Sequence, residues 1–174
     1  MEVLKVIRHT KSGECYRFTS LRYALDERKV LWECFGVQSY SHKSVYHQMK
    51  IVSDFWRNIG KNPVFHFMIS FQKRTINNPY VAIAYAKAIF AHLLDDHQAV
   101  ISVHMEDHIN SLYHVHVVIS TTNFLTGELL ADKRENYFVI GQNIANITHK
   151  KCELELPKFK GDPKPFKRVF SPKW

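Results

Sequence analysis

One stretch constrains the fold of this chain more than any other: residues 99–120, AVISVHMEDHINSLYHVHVVIS. Two apolar runs flank a polar segment, which predicts two strands joined by a loop. Successive side chains of a strand point to opposite faces, so His114 and His116 share one face and the residues between and after them occupy the other. If the strands pair as an antiparallel hairpin, His104 comes opposite His114 or His116. It stays on their face in either register.

The three histidines of this predicted hairpin suit a metal ion. Cross-strand neighbours have Cβ atoms about 4.5–5.5 Å apart, which lets three imidazole nitrogens meet one cation at about 2.0–2.1 Å each. Two histidines that alternate along an apolar strand would otherwise bury polar groups, at roughly 1–3 kcal/mol for each one left without a partner. The spacing therefore predicts a metal site with open positions, whose ligands are His104, His114 and His116.

Acidic residues follow the first of these histidines. A carboxylate of Glu106 or Asp107 could accept an N–H from a ligand imidazole or hold a metal-bound water. The alternative is that both residues, together with His108, are solvated parts of the turn.

These residues carry a family resemblance. The His-hydrophobic-His pattern at residues 114–116, with His-x-acidic upstream, resembles the signature of the HUH endonucleases, and specifically of the relaxases that mobilise plasmids. The sequence TNFLTGELL, residues 122–130, is similar to the segment that commonly follows in that family, a short turn ending in Thr-Gly and a return strand. Two positions depart from the pattern: Glu106 stands where Asp is usual, and Ser120 where Asn is frequent.

A tyrosine near the start of the chain carries the second point of resemblance. A short helix is predicted with Thr19 or Ser20 as its N-cap and Leu21, Ala24 and Leu25 as its apolar face. At about 100° per residue, Tyr23 points away from that face. LRYALDERK, residues 21–29, resembles the helix in which relaxases carry their nucleophilic tyrosine. The resemblance implies that Tyr23 is the nucleophile, with Tyr16 as its rival.

The remaining elements indicate the fold class. An alternating strand is predicted at residues 2–9 and another at 64–71, with helices at 42–59, 80–95 and 134–150. His66, in the second of these strands, is interpreted as a structural histidine. A hairpin at the centre and helices between other strands predict an α+β fold, a central antiparallel sheet with helices packed on it.

Composition bounds the class of protein. The chain has 174 residues and a net charge of +8, which favours a polyanionic partner such as nucleic acid.

We predict a relaxase catalytic domain over residues 1–150 and a basic arm, or the stub of a longer chain, over 151–174. The arm carries basic residues suited to phosphate contacts. No apolar run reaches membrane-span length, no signal peptide is recognised and the three cysteines form no Cys-x-x-Cys pattern, so we expect a cytoplasmic protein without a membrane partner.

The resemblance implies a function in conjugative transfer. Relaxases use a divalent metal, here Mn²⁺ or Mg²⁺ with other transition metals as alternatives, to nick one DNA strand through a 5′-phosphotyrosine intermediate. The expected partner is single-stranded DNA at an origin of transfer, with accessory relaxosome proteins as a further option.

Two other functions stay open at this stage. A rolling-circle replication initiator shares the histidine motif, but its tyrosine helix typically follows the histidines, where Tyr137 is the candidate. A non-catalytic DNA-binding module would use the histidines for a structural metal, although such sites usually have four ligands.

Overall fold

The computed structural model describes residues 1–8, 14–38, 41–59, 61–105, 111–157 and 164–173. Within these ranges the chain forms seven strands and four helices. In chain order they are β1 (Glu2–Ile7), α1 (Glu14–Ala24), β2 (Lys29–Phe35), α2 (His42–Phe55), β3 (Val64–Gln72), α3 (Pro79–Leu94), β4 (His97–Met105), β5 (Ser111–Asn123), α4 (Arg134–Thr148), β6 (Cys152–Leu156) and β7 (Phe166–Phe170). None of the helices in these ranges has the length and apolar character needed to cross a bilayer.

All seven strands belong to one sheet, in the order β2-β4-β5-β3-β1-β6-β7. Every described ladder is antiparallel except that between β1 and β6, which is parallel. The predicted α+β fold with a central antiparallel sheet is confirmed. Because β5 pairs with β4 on one side and β3 on the other, the two-histidine strand lies inside the sheet and not at its edge.

The two faces of this sheet differ in composition. One face, the apolar face, packs against α3 and α4. Its fully buried side chains include Phe67, Ile101 and Val117. The histidine face is the opposite one; α1 and α2 pack on it through a smaller apolar cluster that includes Leu21 and Met49. Burial of apolar area on both faces stabilises the fold, and α1 is held directly over the strands that carry the histidines.

Helix α1 begins earlier than predicted. Thr19 or Ser20 was predicted as the N-cap, but both lie inside the helix. The Thr19 hydroxyl donates to the Cys15 carbonyl one turn back at 2.7 Å, a bond that a threonine makes inside a helix. The described helix accordingly starts at Glu14. The apolar positions were identified correctly, since Leu21, Ala24 and Leu25 are all buried.

The segment at 151–174, predicted as a basic arm or the stub of a longer chain, contains two strands. In β6, Cys152, Leu154 and Leu156 are buried on the apolar face, alternating with the partly exposed Glu153 and Glu155. This alternation is a strand pattern that the sequence analysis overlooked. β7 then pairs with β6 and forms one of the two edge strands of the sheet, with β2 at the other edge.

The basic residues of β7 have partners inside the protein. Lys167 lies 2.9 Å from the Glu153 carboxylate and also bonds Glu155. The Arg168 guanidinium lies 4.2 Å from the centre of the Phe138 ring. These contacts weaken the expectation that the segment as a whole serves DNA phosphates, and removing it would uncover buried core side chains.

The segment that resembles the relaxase Thr-Gly turn is a tight turn here as well. Gly127 has φ +76°, and a Cβ added to it would come within 2.4 Å of the Trp56 ring. A side chain is therefore excluded at this position both by backbone conformation and by space. The predicted return strand is reduced to a single bridge between Thr122 and Leu129.

Candidate active site

The β4–β5 pair aligns the histidines that the sequence singled out. His104 is the register partner of His114, so His104, His114 and His116 lie on the same face of the sheet, as predicted. Residues 106–110 lie outside the described residues. The predicted roles of Glu106, and the alternatives for Asp107 and His108, therefore stay predictions.

A fourth histidine joins the cluster. His66 Nε2 is 3.2 Å from His116 Nδ1, and the two ring centres are 5.3 Å apart. The rings of His104 and His116 are closer still, with centres 4.5 Å apart. His66, His104 and His116 are all buried. From the sequence alone His66 is interpreted as a structural histidine, because the pairing of β3 with β5 that brings it to His116 cannot be inferred from β3 by itself.

Hydrogen bonds orient two of these rings. His104 Nε2 donates to the Ala24 carbonyl at 2.9 Å, which fixes the tautomer of that imidazole with its proton on Nε2. His114 Nδ1 is 2.8 Å from Ser70 Oγ on β3. A ring nitrogen that forms such a bond is held in place, and the other nitrogen of the ring is then the one suited to a metal.

The surroundings of His116 favour its uncharged form. The pKa of His116 lies well below its ordinary value, first because the ring is buried and then because His66, His104, His114 and Arg28 surround it. A proton added to His116 would place a positive charge beside further cationic or protonatable groups. The neutral form is the one that presents a lone pair to a metal ion.

The donor chemistry of the cluster therefore fits a divalent transition metal, which imidazole nitrogens bind well. Among the residues that the structure describes, however, no three His, Cys, Asp or Glu side chains form a group able to hold one ion as they stand. The cluster supplies suitable donors on one face, and the three-histidine metal site stays a prediction.

Tyr23 lies above this cluster, at the C-terminal end of α1. Its ring centre is 5.2 Å from that of His116, 5.9 Å from His66 and 6.2 Å from His104. The side chain is 37 % exposed, which agrees with the prediction that it points away from the apolar side of its helix. Tyr23 is therefore both accessible and adjacent to the histidines.

The end of α1 is fastened to the sheet next to Tyr23. The Ala24 carbonyl, at the last residue of the helix, accepts hydrogen bonds from Ser102 Oγ at 2.6 Å and from His104 Nε2. Carbonyls in the last turn of a helix lack partners within the helix, so side chains of the sheet satisfy this one. Because Tyr23 precedes Ala24, this attachment fixes the tyrosine over the histidine face.

A charged pair borders the tyrosine. The Arg28 guanidinium carbon is 4.7 Å from the centre of the Tyr23 ring, and Arg28 Nη2 donates to Asp26 at 2.6 Å. Hydrogen bonds to Asp26 and then to Tyr23 raise the pKa of Arg28. Burial alone would raise the pKa of Asp26, but its hydrogen bonds with Arg28 and the nearby His104 lower it on balance. Asp26 and Arg28 are thus both charged next to Tyr23. Neither was predicted from the sequence as a site residue.

The two rival tyrosines lie elsewhere. Tyr16 is buried, and its hydroxyl donates to the Ile7 carbonyl at 2.8 Å. Tyr137 is buried on the apolar face, where its hydroxyl bonds Asp132. The sheet separates Tyr137 from the histidines, so the geometry that a replication initiator would need from this residue is not found.

Comparison with known proteins identifies the family of this chain. The family model described as relaxase, MobA/VirD2-like, nuclease domain, matches residues 23–152, three quarters of the chain. No curated protein and no solved structure matches the chain significantly. The matched range begins at Tyr23 and contains all four histidines of the cluster. The chain belongs to the relaxase family, whose nuclease domains nick DNA in mobilisation.

Proposed function

We propose that this protein cleaves and rejoins single-stranded DNA in the conjugative transfer of a plasmid or other mobile element, with Tyr23 as the nucleophile. One observation carries the proposal: an accessible tyrosine ring lies within 5.2–6.2 Å of three clustered imidazole rings. Family membership supports DNA nicking, and the placement of Tyr23 supports the choice of residue.

The proposed step is a transesterification. The phenolic oxygen of Tyr23 attacks the scissile phosphorus and loses its proton as the new P–O bond forms. The bond to the 3′ oxygen breaks, and that oxygen takes up a proton to leave a 3′-hydroxyl strand. The other strand end stays joined to Tyr23 through its 5′ phosphate. One phosphoester replaces another, so the step is reversible and the strands can be rejoined.

His104, His114 and His116 would hold the metal ion. When bound, Mn²⁺ or Mg²⁺ would neutralise a non-bridging oxygen of the phosphate and stabilise the charge that develops there. The low pKa of His116 keeps its imidazole neutral at physiological pH, the state required of a ligand. Glu106, whose side chain is outside the described residues, remains the candidate for orienting a ligand imidazole or a water.

Arg28 provides fixed positive charge beside the reacting tyrosine. Its guanidinium is held by hydrogen bonds to the Asp26 carboxylate and lies against the Tyr23 ring. A planar guanidinium suits a phosphate oxygen, because it donates two parallel hydrogen bonds. We expect Arg28 to contact the scissile phosphate or its neighbour.

The proposal implies particular partners and a location. The substrate is single-stranded DNA at an origin of transfer, and accessory relaxosome proteins would expose that strand. Plasmid DNA resides in the cytoplasm, which makes this the expected place of action.

The test compares three tyrosines. Native protein, Tyr23→Phe, Tyr16→Phe and Tyr137→Phe are incubated with Mn²⁺ and a tiled set of end-labelled single-stranded oligonucleotides covering the DNA that carries the gene. We expect native protein and both control variants to form a covalent adduct on a denaturing gel, and Tyr23→Phe to form none. Peptide mapping of the adduct identifies the modified tyrosine.

The outcomes separate the competing functions. A phosphate on Tyr137 would replace the relaxase mechanism with that of a replication initiator. DNA binding without any adduct from native protein, with a metal retained by the histidines, would favour a non-catalytic DNA-binding module. Adduct formation by Tyr23→Phe would show that the nucleophile is a different residue.

A further inference from the structure

An exposed tryptophan lies on the histidine face beside the candidate site. Trp32 is on β2, the edge strand next to β4, and its register partner is Ser102, which in turn pairs with His116 on β5. These three residues therefore form one row across the sheet. Neighbouring strands are about 4.8 Å apart, so the Trp32 backbone is roughly 10 Å from that of His116. The Trp32 side chain is 42 % exposed, although it is among the largest apolar groups of the chain.

A basic side chain lies next to this tryptophan. Lys29 Nζ lies 5.0 Å from the centre of the Trp32 ring. Burial lowers the pKa of His42, and the positive charges of Lys43, Arg22 and Lys29 lower it further, so cationic groups of α1, β2 and α2 all act on this one ring. Arg28, the residue before Lys29, adds a further positive charge, which lies against the Tyr23 ring.

The acidic residues near Trp32 in the chain do not form a comparable cluster. The Asp26 carboxylate is bonded to Arg28, and Glu27 is exposed in the turn between them. Glu33 alternates to the apolar side of the edge strand, where it bonds Lys87 of α3. An exposed indole beside a lysine, next to the proposed nuclease site, matches the chemistry of a single nucleotide strand: a base to stack and a phosphate to neutralise.

From this juxtaposition we propose, on the basis of the proposed function, that Trp32 and Lys29 form a binding site for one nucleotide of the DNA strand close to the scissile phosphate. The base stacks on the Trp32 indole, and Lys29 contacts the phosphate of the same nucleotide. Stacking requires an unpaired base, because the faces of bases in a duplex are already occupied by their neighbours. The site therefore selects single-stranded DNA over duplex and tolerates different bases.

Substitutions of Trp32 and of Lys29, each with a matched control, test this site without relying on cleavage. Binding of a fluorescein-labelled single-stranded oligonucleotide and its duplex form is measured by anisotropy, with EDTA present so that no strand is cut. Trp32→Ala should weaken binding to the single strand about 5- to 150-fold, whereas Trp32→Phe keeps a ring and should lose far less. Tyr80→Ala is the matched control, since Tyr80 is also an exposed aromatic residue but lies on α3, across the sheet. It should bind like the native protein.

Lys29 is tested through salt. Lys29→Gln should reduce the slope of log affinity against log salt concentration by about 0.7 for the single strand, the value for one phosphate contact. Lys87→Gln serves as the control, because Lys87 bonds Glu33 on the other side of the edge strand and should leave the slope unchanged.

Fluorescence provides a direct readout of stacking. The chain has three tryptophans, and single-stranded DNA should quench emission in the native protein and lose most of that effect in Trp32→Phe. Equal affinity of Trp32→Ala and native protein, or unchanged quenching in Trp32→Phe, would overturn the nucleotide site while leaving the nuclease proposal intact if native protein still forms the Tyr23 adduct. Failure of native protein to prefer single strands over duplex would overturn the nucleotide site, and absence of any adduct would overturn the nuclease proposal.

Discussion

The same strands of this protein form two faces with opposite properties. On the apolar face, alternate residues of β3, β4 and β5 pack against α3 and α4 and form a continuous apolar core. On the histidine face, the intervening residues of those strands include His66, Ser102, His104, His114 and His116. Because neighbours in a strand differ only in the face they occupy, one residue can serve stability while the next serves chemistry. The apolar face stabilises the sheet strongly enough for buried polar groups to be kept on the other side.

The tyrosines make the same contrast. Burial raises the pKa of Tyr16 to about 12, and burial together with Asp132 raises the pKa of Tyr137. Both hydroxyls are therefore held as neutral hydrogen-bonding groups, which is unfavourable for attack as a phenolate. Tyr23 is accessible and lies against Arg28. A tyrosine thus becomes a candidate nucleophile through its position on the sheet and not through its residue type.

The largest effect should come from a pair of adjacent residues on opposite faces, His114 and Val115. His114→Ala removes a predicted metal ligand at the rim of the cluster and should lower the cleavage rate about a hundredfold or more. Val115→Ala should cleave at close to the native rate. Rates of adduct formation are compared at equal protein concentration, and Mn²⁺ affinity is measured by calorimetric titration. Unchanged Mn²⁺ affinity in His114→Ala would contradict the three-histidine site.

A smaller loss of function is expected at His66. Its Nε2 atom contacts His116 Nδ1, so His66→Ala would remove the group that orients His116. Loss of such a partner typically costs 10- to 100-fold in metal affinity or activity. His66→Gln, which can still form a hydrogen bond, should recover part of this loss. Phe67→Leu, one residue on and facing the apolar core, is the control.

The His66 experiment distinguishes orientation from simple packing. If His66 orients a ligand, Mn²⁺ affinity should fall in His66→Ala and recover in His66→Gln even where the two variants have equal melting temperatures. A fall in melting temperature with unchanged Mn²⁺ affinity would assign His66 a structural role, as the sequence alone suggested.

The free energy of unfolding should rank the variants His114→Ala and Val115→Ala in the reverse order of their effects on cleavage. Val115 is fully buried in the apolar core, and Val115→Ala should lower the free energy of unfolding by about 1–3 kcal/mol through lost burial and a small cavity. His114→Ala, at the rim of the histidine cluster, should cost less. Urea denaturation followed by circular dichroism gives both values. A larger loss in His114→Ala than in Val115→Ala would mean that the histidine face contributes more to folding than the packing indicates.

The smallest effect concerns a thiol on the apolar face. Burial raises the pKa of Cys152 to about 12, so almost no thiolate exists at pH 8. Iodoacetamide at pH 8 should therefore modify the exposed Cys15 well before Cys152, with the sites read by mass spectrometry. In denaturant both should react. Equal rates in the folded protein would indicate that β6 separates readily from the sheet.

Much of the histidine face could be predicted from local sequence. The alternation around His114 and His116 fixes which residues share a face, since the period of a strand is independent of its surroundings. The helical spacing of Leu21, Ala24 and Leu25 likewise determined that Tyr23 points away from their side. The Thr-Gly turn was predicted from the resemblance to the relaxase family, and the φ of +76° at Gly127 is one that few residues other than glycine adopt.

Beyond the predicted hairpin of β4 and β5, only the tertiary structure decided which strands lie side by side. The sheet order places β3 next to β5, and this pairing brings His66, 50 positions earlier, against His116. The attachment of the α1 terminus to Ser102 and His104, which sets Tyr23 over the cluster, also joins residues 78 and 80 positions apart. Alternation along one strand carries no information about its neighbours in the sheet. The sequence by itself therefore determined which side chains face the same way, and the strand order, set by packing of the whole core, determined which of them meet.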